Sequence, residues 1–307
     1  MRRLLAVNFV PSALFVTCAW VLSRAGSFGG RSDWAVVLPT AVPGRIEAVL
    51  GIASCASVLA MLLSPFQVRA VRALEGYWER WRITAQLAGV CTEIQRRKWV
   101  ALNARARQAP SNETVVRLSA DAQRRLAMKP SPDVLLPTAL GNALRTGEIT
   151  AGERYGLDTL ISWPRIYMQL PPRMHRTLQS ARDALDSAAN LCWSFLASAL
   201  LSGVSFYDEP RVLWIPAAML VVAALAYKGA VVAAQSYSSL MRVAYDLHRF
   251  DLLDALHHRL PDKANEREVF EQVTDSLAGE WIADLPYRHG SLRKSAVCDA
   301  DRAADSQ

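Results

Sequence analysis

The 307-residue sequence predicts an all-α fold: a polytopic helical membrane protein with four transmembrane helices and helical cytoplasmic extensions. Three observations predict it. Apolar residues make up 51% of the chain against 21% charged, which is too apolar for a disordered chain. They are also segregated, because uncharged runs alternate with segments as polar as ordinary soluble protein. Finally, Lys and Arg fall unevenly about those runs, in the way that sets orientation in a bilayer.

A helix crossing the hydrocarbon core needs about 20 mainly apolar residues at a rise of about 1.5 Å each. Residues 4–23 are uncharged between Arg3 and Arg24, and residues 48–66 follow Glu47 and stop before Arg69. Residues 187–207 are uncharged between Asp186 and Asp208. The fourth run, from Val212, spans to about 232 and continues apolar to Met241, interrupted only by Lys228. Four such runs would need a larger soluble core than the polar remainder could wrap. Only Asp208, Glu209, Pro210 and Arg211 separate the third run from the fourth. These two must form a tight antiparallel hairpin, and Pro210, which has no N–H to satisfy, suits its turn. The first run, with Arg2 and Arg3 before it, also has the outline of a secretory signal. The Ser-Arg-Ala-Gly-Ser that follows Leu22 lacks a small-x-small cleavage site and Pro11 sits in mid-run, so it reads as a retained anchor.

With the amino terminus inside, the outer segments 24–47 and 208–211 hold Arg24, Arg31, Arg45 and Arg211, four of the 35 basic residues. Arg2, Arg3, Arg69, Arg72, Arg182 and Arg242 flank the runs on the inner side. The sequence therefore predicts a multi-pass protein of the cell membrane with both termini cytoplasmic. Charge divides the chain into +3 for residues 1–66, +8 for 67–186, zero for 187–241 and −4 for 242–307. The first block carries two transmembrane helices with outer loop 24–47, the second is a basic cytoplasmic region, the third is the transmembrane hairpin, and the fourth is an acidic tail. The basic region is drawn to the anionic inner leaflet at about 1 kcal/mol per Lys or Arg near the surface. Its charge is interleaved with Glu75, Glu79 and Glu93 and carries no recognition motif, so nucleic acid is not the expected partner.

Within the basic region, residues 67–107 read as one long helix, with an apolar stripe running from Val68 through Val71, Leu74, Trp78, Trp81, Ala85, Ala88 and Cys91 to Ile94. It either extends the second span or lies along the inner surface. Tyr77, Trp78 and Trp81 mark a headgroup belt or pack on other cytoplasmic helices. From Ala109 to Asp133 the pattern loosens around a short helical stretch. A helix opens at Pro137-Thr138, with Thr138 as cap, and ends near Gly147; residues 148–158 hold a further turn, and Trp163-Pro164-Arg165 breaks the next segment. From Pro172 helical character leads without a stop into the third span, and it continues past the fourth to Pro261. The tail holds an acidic amphipathic helix over residues 266–277 and becomes polar and disordered after about 290.

Signals of catalysis are scarce. The five cysteines, at 18, 55, 91, 192 and 298, contain no C-x-x-C, and three lie within spans as small apolar packing residues. Of the five histidines, the adjacent His257 and His258 diverge by about 100° on a helix and make no two-ligand face. There is no Walker loop, G-x-G-x-x-G, G-x-S-x-G or H-E-x-x-H, and no cofactor or metal is expected. Lys228 is the one clear charge at membrane depth, but it lies 16 residues past Val212, about 24 Å along the helix and near the inner boundary, where snorkelling explains it. Small residues four apart (Gly51 and Cys55, Ala53 and Ser57, Gly229 and Ala233) permit close helix contact within the chain or with a second copy.

The segments Leu74-Glu75-Gly76-Tyr77-Trp78, Leu136 to Asn142 (LPTALGN), Arg154-Tyr155-Gly156-Leu157-Asp158, Trp163-Pro164-Arg165 and Phe250-Asp251-Leu252-Leu253 together resemble a family of uncharacterised multi-span bacterial membrane proteins, over most of residues 66–260. The resemblance implies the same topology and brings no activity with it. The Tyr77-Trp78-Glu79-Arg80-Trp81 run is also similar to a string that bestrophin-like anion channels place after a span, although the rest of that family's pattern is absent. The expected function is a non-enzymatic anchor or scaffold that recruits a protein partner through its cytoplasmic region. Trp78, Trp81, Arg154, Asp158 and Arg165 are the candidates for that surface or for the ion pairs beneath it. The alternative is an oligomeric channel or small-solute transporter, for which Lys228 is the candidate.

Overall fold

The structure, a computed structural model, describes residues 5–39, 41–78, 82–109 and 112–279. Regular structure among them is helical. In chain order the helices are α1 (Val10–Arg24), preceded by one π-turn (Leu5–Phe9), α2 (Val42–Leu63), α3 (Gln67–Glu75), α4 (Arg82–Ala106), α5 (Glu113–Ala127), α6 (Ala139–Ala151), α7 (Thr159–Gln169), α8 (Pro172–Ser205), α9 (Trp214–Ala255) and α10 (Glu266–Ala278). Four helical segments are long and apolar enough to cross a membrane: Val7–Arg24, Val42–Glu75, Pro172–Ser205 and Pro210–Ala255. They overlap the four uncharged runs of the sequence. The chain forms two compact units, one of residues 1–147 and 176–239, the other of residues 148–175 and 240 onward.

In the first unit, α8 and α9 form the expected antiparallel hairpin. A Cβ on Gly203 would meet Pro216, Ser202 Oγ lies 3.6 Å from Met219 Sδ, and a Cβ on Gly229 would meet Ala188. Further along, the Arg182 guanidinium lies 5.9 Å from the Tyr237 ring centre. From the first pair to the last, 21 residues of each helix are in register, about 31 Å at 1.5 Å per residue, close to the thickness of a hydrocarbon core. α1 runs parallel to α8: Val7 and Asn8 meet Asn190, and Pro11 meets Ser194. α2 packs against α1. The loop after α1 reaches the turn of the α8–α9 hairpin, where the Ser32 N–H and hydroxyl both donate to Glu209 Oε1, at 2.6 and 2.7 Å. The two connections therefore lie at one end of the bundle. α2 buries only Ala56 and Ala60 and leaves Val49, Leu50, Val58, Met61 and Leu62 exposed around its circumference. A helix that is apolar around its circumference differs from the usual surface helix, which buries one stripe and keeps the other face polar.

Residues 67–107 are not one helix. The chain breaks at Gly76, which takes φ +101° and caps α3 with its N–H on the Arg72 carbonyl. That left-handed geometry costs glycine little and other residues more. Contact with the next motif fixes the break in place. The Thr138 hydroxyl donates to the Glu75 carbonyl at 2.6 Å while accepting the Gly141 N–H at 3.0 Å, so one side chain closes the end of α3 and the start of α6. Gly141 leaves room for this approach, since a Cβ there would clash with the Glu75 carbonyl oxygen. Asn142 clasps Leu136, accepting its N–H at 2.7 Å and donating to its carbonyl at 2.9 Å. Thr138 is thus the cap the sequence suggests. α6, however, runs beyond Gly147 to Ala151, since Gly147 is needed for close approach to Ser238 rather than for a stop. The loosened stretch 109–133 contains a full helix, α5, started by Asn112 accepting the Val115 N–H at 2.9 Å and packed on α4 as a helical hairpin.

The second unit has a conventional apolar core in which Leu157, Ile166, Tyr245, Leu252, Leu253, Phe270 and Val273 are essentially fully buried. Its α7 passes straight through Trp163-Pro164-Arg165. Pro164 withholds one N–H from the ladder, but the carbonyl it would have met belongs to the exposed Leu160. Trp163 is held in helical geometry by stacking on Tyr245 and by its contact with Tyr167. Tertiary packing outweighs the local preference. α10 matches the acidic tail helix and ends at Gly279 with φ +84°. The expected disorder after residue 290 lies outside the described residues.

Candidate functional site

Two places gather polar or functional residues, one in each unit. In the second unit the Arg154–Asp158 segment forms the bracket that fixes α7. The Tyr155 hydroxyl donates to Asp246 Oδ1 at 2.8 Å, and Arg154 Nη2 donates to the same oxygen at 2.7 Å and to the Tyr155 hydroxyl. That bond to Tyr155, together with the nearby Asp246 carboxylate, holds the Arg154 guanidinium more firmly protonated than usual. Arg249 lies 4.3 Å from the Tyr155 ring centre and pairs through Nε with Glu266 at 2.7 Å. Gly156, at φ +87°, lets the chain pass beneath α10, since a Cβ there would lie 2.6 Å from the Arg267 carbonyl. Asp158 then caps α7, accepting from the N–H groups of Leu160 and Ile161 at 2.8 and 3.1 Å, while its own N–H donates to Thr274 Oγ1 at 3.1 Å.

Thus held, α7 buries Thr159, Ser162 and Ile166. The Ser162 hydroxyl lies 2.9 Å from that of Tyr245 and donates to the Asp158 carbonyl at 2.6 Å. The opposite face carries Leu160, Pro164 and Met168 at steps of four, with Leu160 70% and Met168 85% exposed. Arg165 is beside them, its guanidinium donating to the Ile161 carbonyl at 2.6 Å. Of the residues singled out by sequence, Arg154 and Asp158 thus serve the scaffold of α7 and Arg165 stands on its outward side. Trp78 lies in the other unit. Its indole N–H donates to the Ala73 carbonyl at 2.6 Å and its carbonyl accepts from the Thr84 hydroxyl, which ties the turn between α3 and α4. Trp81 lies outside the described residues. Sequence reasoning missed Leu160 and Met168, which look like ordinary core residues until the packed face of α7 is known.

The first unit holds the second place. Pro11 has no N–H to return to the preceding turn, and the chain before it widens into the π-turn. The Val7 carbonyl, four residues before Pro11, accepts instead from Asn190 Nδ2 of α8 at 3.0 Å. Asn190 also donates to Asn8 Oδ1 at 2.9 Å, and Ser194 donates to the Pro11 carbonyl at 2.7 Å. Beside this seam is a cavity of about 420 Å³ whose lining includes the polar Asn8, Ser12, Asn190 and Gln67 together with Phe15, Leu59 and Leu63. The detectable signal was an amide within each of two otherwise apolar runs. A second cavity, about 500 Å³ and lined by residues such as Leu14, Phe195, Phe206 and Met219, is nearly all apolar. Lys228 is exposed on α9 and lines neither cavity.

Among the described residues no group of three or more His, Cys, Asp or Glu side chains could hold a metal ion. Gly229 of the small-residue pairs meets Ala188 within the chain, whereas Gly51 has nothing within 4 Å of where its Cβ would lie. Set against models of protein families, curated proteins and solved structures, the chain matches none of them.

Proposed function

We propose that this chain is a non-enzymatic, multi-pass anchor of the cell membrane, with both termini cytoplasmic, that recruits a protein partner through the outward face of α7. Lipid solvates the four apolar segments, which accounts for the exposed side chains around α2. The observation that carries the recruiting role is the pairing of Leu160 and Met168, exposed on a helix whose position is fixed by the Asp158 cap and the Tyr155–Asp246 bracket. A rigid apolar strip loses little conformational entropy when covered, and burying a Leu or Met side chain stabilises a complex by about 1.5–3 kcal/mol each. Met and Arg are residue types enriched at interface centres.

The test is co-purification of the full chain in mild detergent. Met168→Glu combined with Leu160→Glu is expected to remove the bound protein while leaving thermal stability unchanged, because neither side chain is packed. Retention of the same partners by that variant would refute the reading.

The cavity beside the Pro11 seam supports a second reading, a channel or carrier, since polar groups in apolar spans often mark a solute path. Flux through vesicles holding only this protein, altered by Asn190→Ala, would favour it. Lys228→Ala is the weaker probe, because that side chain lines neither cavity.

A further inference from the structure

The α4–α5 hairpin carries an apolar surface that none of the described residues covers. On α4, Ala88 and Ala106 are buried, with Ala85, Cys91 and Trp99 partly buried around them. On another side Ile83, Leu87, Val90 and Ile94 are 75, 54, 60 and 45% exposed. At 100° per residue these four fall within about 60° of one another, a continuous strip about 16 Å long. The next turns of the same side carry Arg97, Lys98 and Arg105, all exposed. Across residues 82–127 there are nine Lys or Arg against three acidic residues, a net +6. The acid nearest the strip, Glu93, is already paired with Arg97 at 3.1 Å and Arg96 at 3.7 Å.

We infer that this hairpin is a peripheral membrane-binding element, which lays Ile83, Leu87, Val90 and Ile94 into the acyl boundary of an anionic leaflet while Arg97, Lys98 and Arg105 meet its headgroups. Two observations select this occupant. The strip begins eight residues after Glu75, where the second apolar segment ends, so the chain holds it within about 29 Å of that end. An apolar strip continued by cations is the surface that interfacial helices present to lipid. A second copy packed in parallel would bring Arg97, Lys98 and Arg105 against their own counterparts, and antiparallel pairing is the outcome that cross-linking through position 87 separates. The inference rests on the membrane placement proposed above but not on the recruiting role of α7.

The test uses the full chain with its native cysteines replaced and a single environment-sensitive fluorophore at Leu87→Cys. It is reconstituted into vesicles of brominated phosphatidylcholine, alone or mixed with brominated phosphatidylglycerol. The expected result is loss of fluorescence to the brominated chains and protection from aqueous iodide in the anionic vesicles, with both effects lost in Arg97→Glu/Lys98→Glu/Arg105→Glu. A label at Val221→Cys, on the exposed face of the fourth apolar segment, reports insertion itself. Quenching at 221 with none at 87 in anionic vesicles overturns this inference alone, whereas no quenching at either position overturns the membrane placement. Cross-linking between copies through position 87 without lipid quenching assigns the strip to self-association and also overturns it. Hydrogen exchange of the unaltered chain in nanodiscs provides a check that needs no substitution: residues 83–100 are expected to exchange more slowly in anionic than in zwitterionic discs, and equal rates count against the proposal.

Discussion

Replacing Gly152 with alanine tests whether α7 is held as tightly as the geometry states. Gly152 has φ −79° and ψ −46°, an ordinary helical conformation, so alanine fits the backbone without strain. In open space the change would stabilise the fold by about 0.4–1 kcal/mol, by narrowing the unfolded ensemble. The space here is closed. A Cβ would lie 2.6 Å from Thr159 Oγ1, 2.8 Å from the Leu157 carbonyl oxygen and 2.9 Å from Tyr245 Cε1. The second is backbone of a fully buried residue, and the third belongs to a fully buried ring whose hydroxyl is tied to Ser162. The Gly152 N–H also donates to Thr159 Oγ1 at 3.1 Å, so moving Thr159 aside loses that bond. Overpacking of this kind costs about 1–3 kcal/mol, which exceeds the entropic gain and leaves a net destabilisation of about 1–2 kcal/mol. In a unit of this size each kcal/mol lowers the melting temperature by about 4–8 °C. The assay is hydrogen exchange and thermal unfolding of the full chain in micelles, following residues 240–279. Gly89→Ala is the control: nothing lies within 4 Å of its Cβ in mid-α4, and stability there is expected to rise by up to about 1 kcal/mol. A Gly152→Ala protein as stable as its parent would show that the bracket around α7 is loose and would sink the packing argument.

Three more outcomes are expected. Asp158→Ala removes the acceptor of the Leu160 and Ile161 N–H groups and should cost about 0.5–2 kcal/mol, read as faster exchange of the first turn of α7. Asn190→Leu keeps the branched outline of the side chain but leaves the Val7 carbonyl without its donor, a loss of about 1–3 kcal/mol visible as a lower melting temperature in micelles; an unchanged melt would mean that the Pro11 seam is satisfied in another way. Stability should also depend on pH through His258, whose burial lowers its pKa below the ordinary value of about 6.5. The unfolded chain then binds the proton more readily than the folded one. The contribution is complete above about pH 6.5 and is lost as pH falls through the lower folded value, at no more than about 1.4 kcal/mol per pH unit. His258→Gln should flatten that slope in melts recorded from neutral to mildly acidic pH.

The motif segments noticed in the sequence converge on two junctions. Glu75 and Gly76 meet Thr138 and Gly141 in the first unit. Arg154 to Asp158 and Trp163 meet Tyr245 and Asp246 in the second, where Phe250 packs near Phe270 at 5.9 Å between ring centres. Spacing along the chain showed that these residues were unusual but not that they touch, since partners such as Arg154 and Asp246 are 92 positions apart. The proline of Trp163-Pro164-Arg165 misled for the same reason. A single lost hydrogen bond is a local cost, and the stacking that offsets it comes from a helix far along the chain.

What the sequence alone determined is the set of properties that depend on composition over one helix length: four apolar runs, the tight hairpin between the last two, the Thr138 cap and the acidic helix before Gly279. Desolvation of a whole helix and the satisfaction of its ends are nearly local free energies, so they can be read without knowing the neighbours. Tertiary structure alone decided where helix 67–107 breaks, which face of α7 is outward, and how Asn190 makes good the Val7 carbonyl beside Pro11. Each of those depends on a close approach between distant segments, where a few tenths of an ångström separate a satisfied contact from a clash.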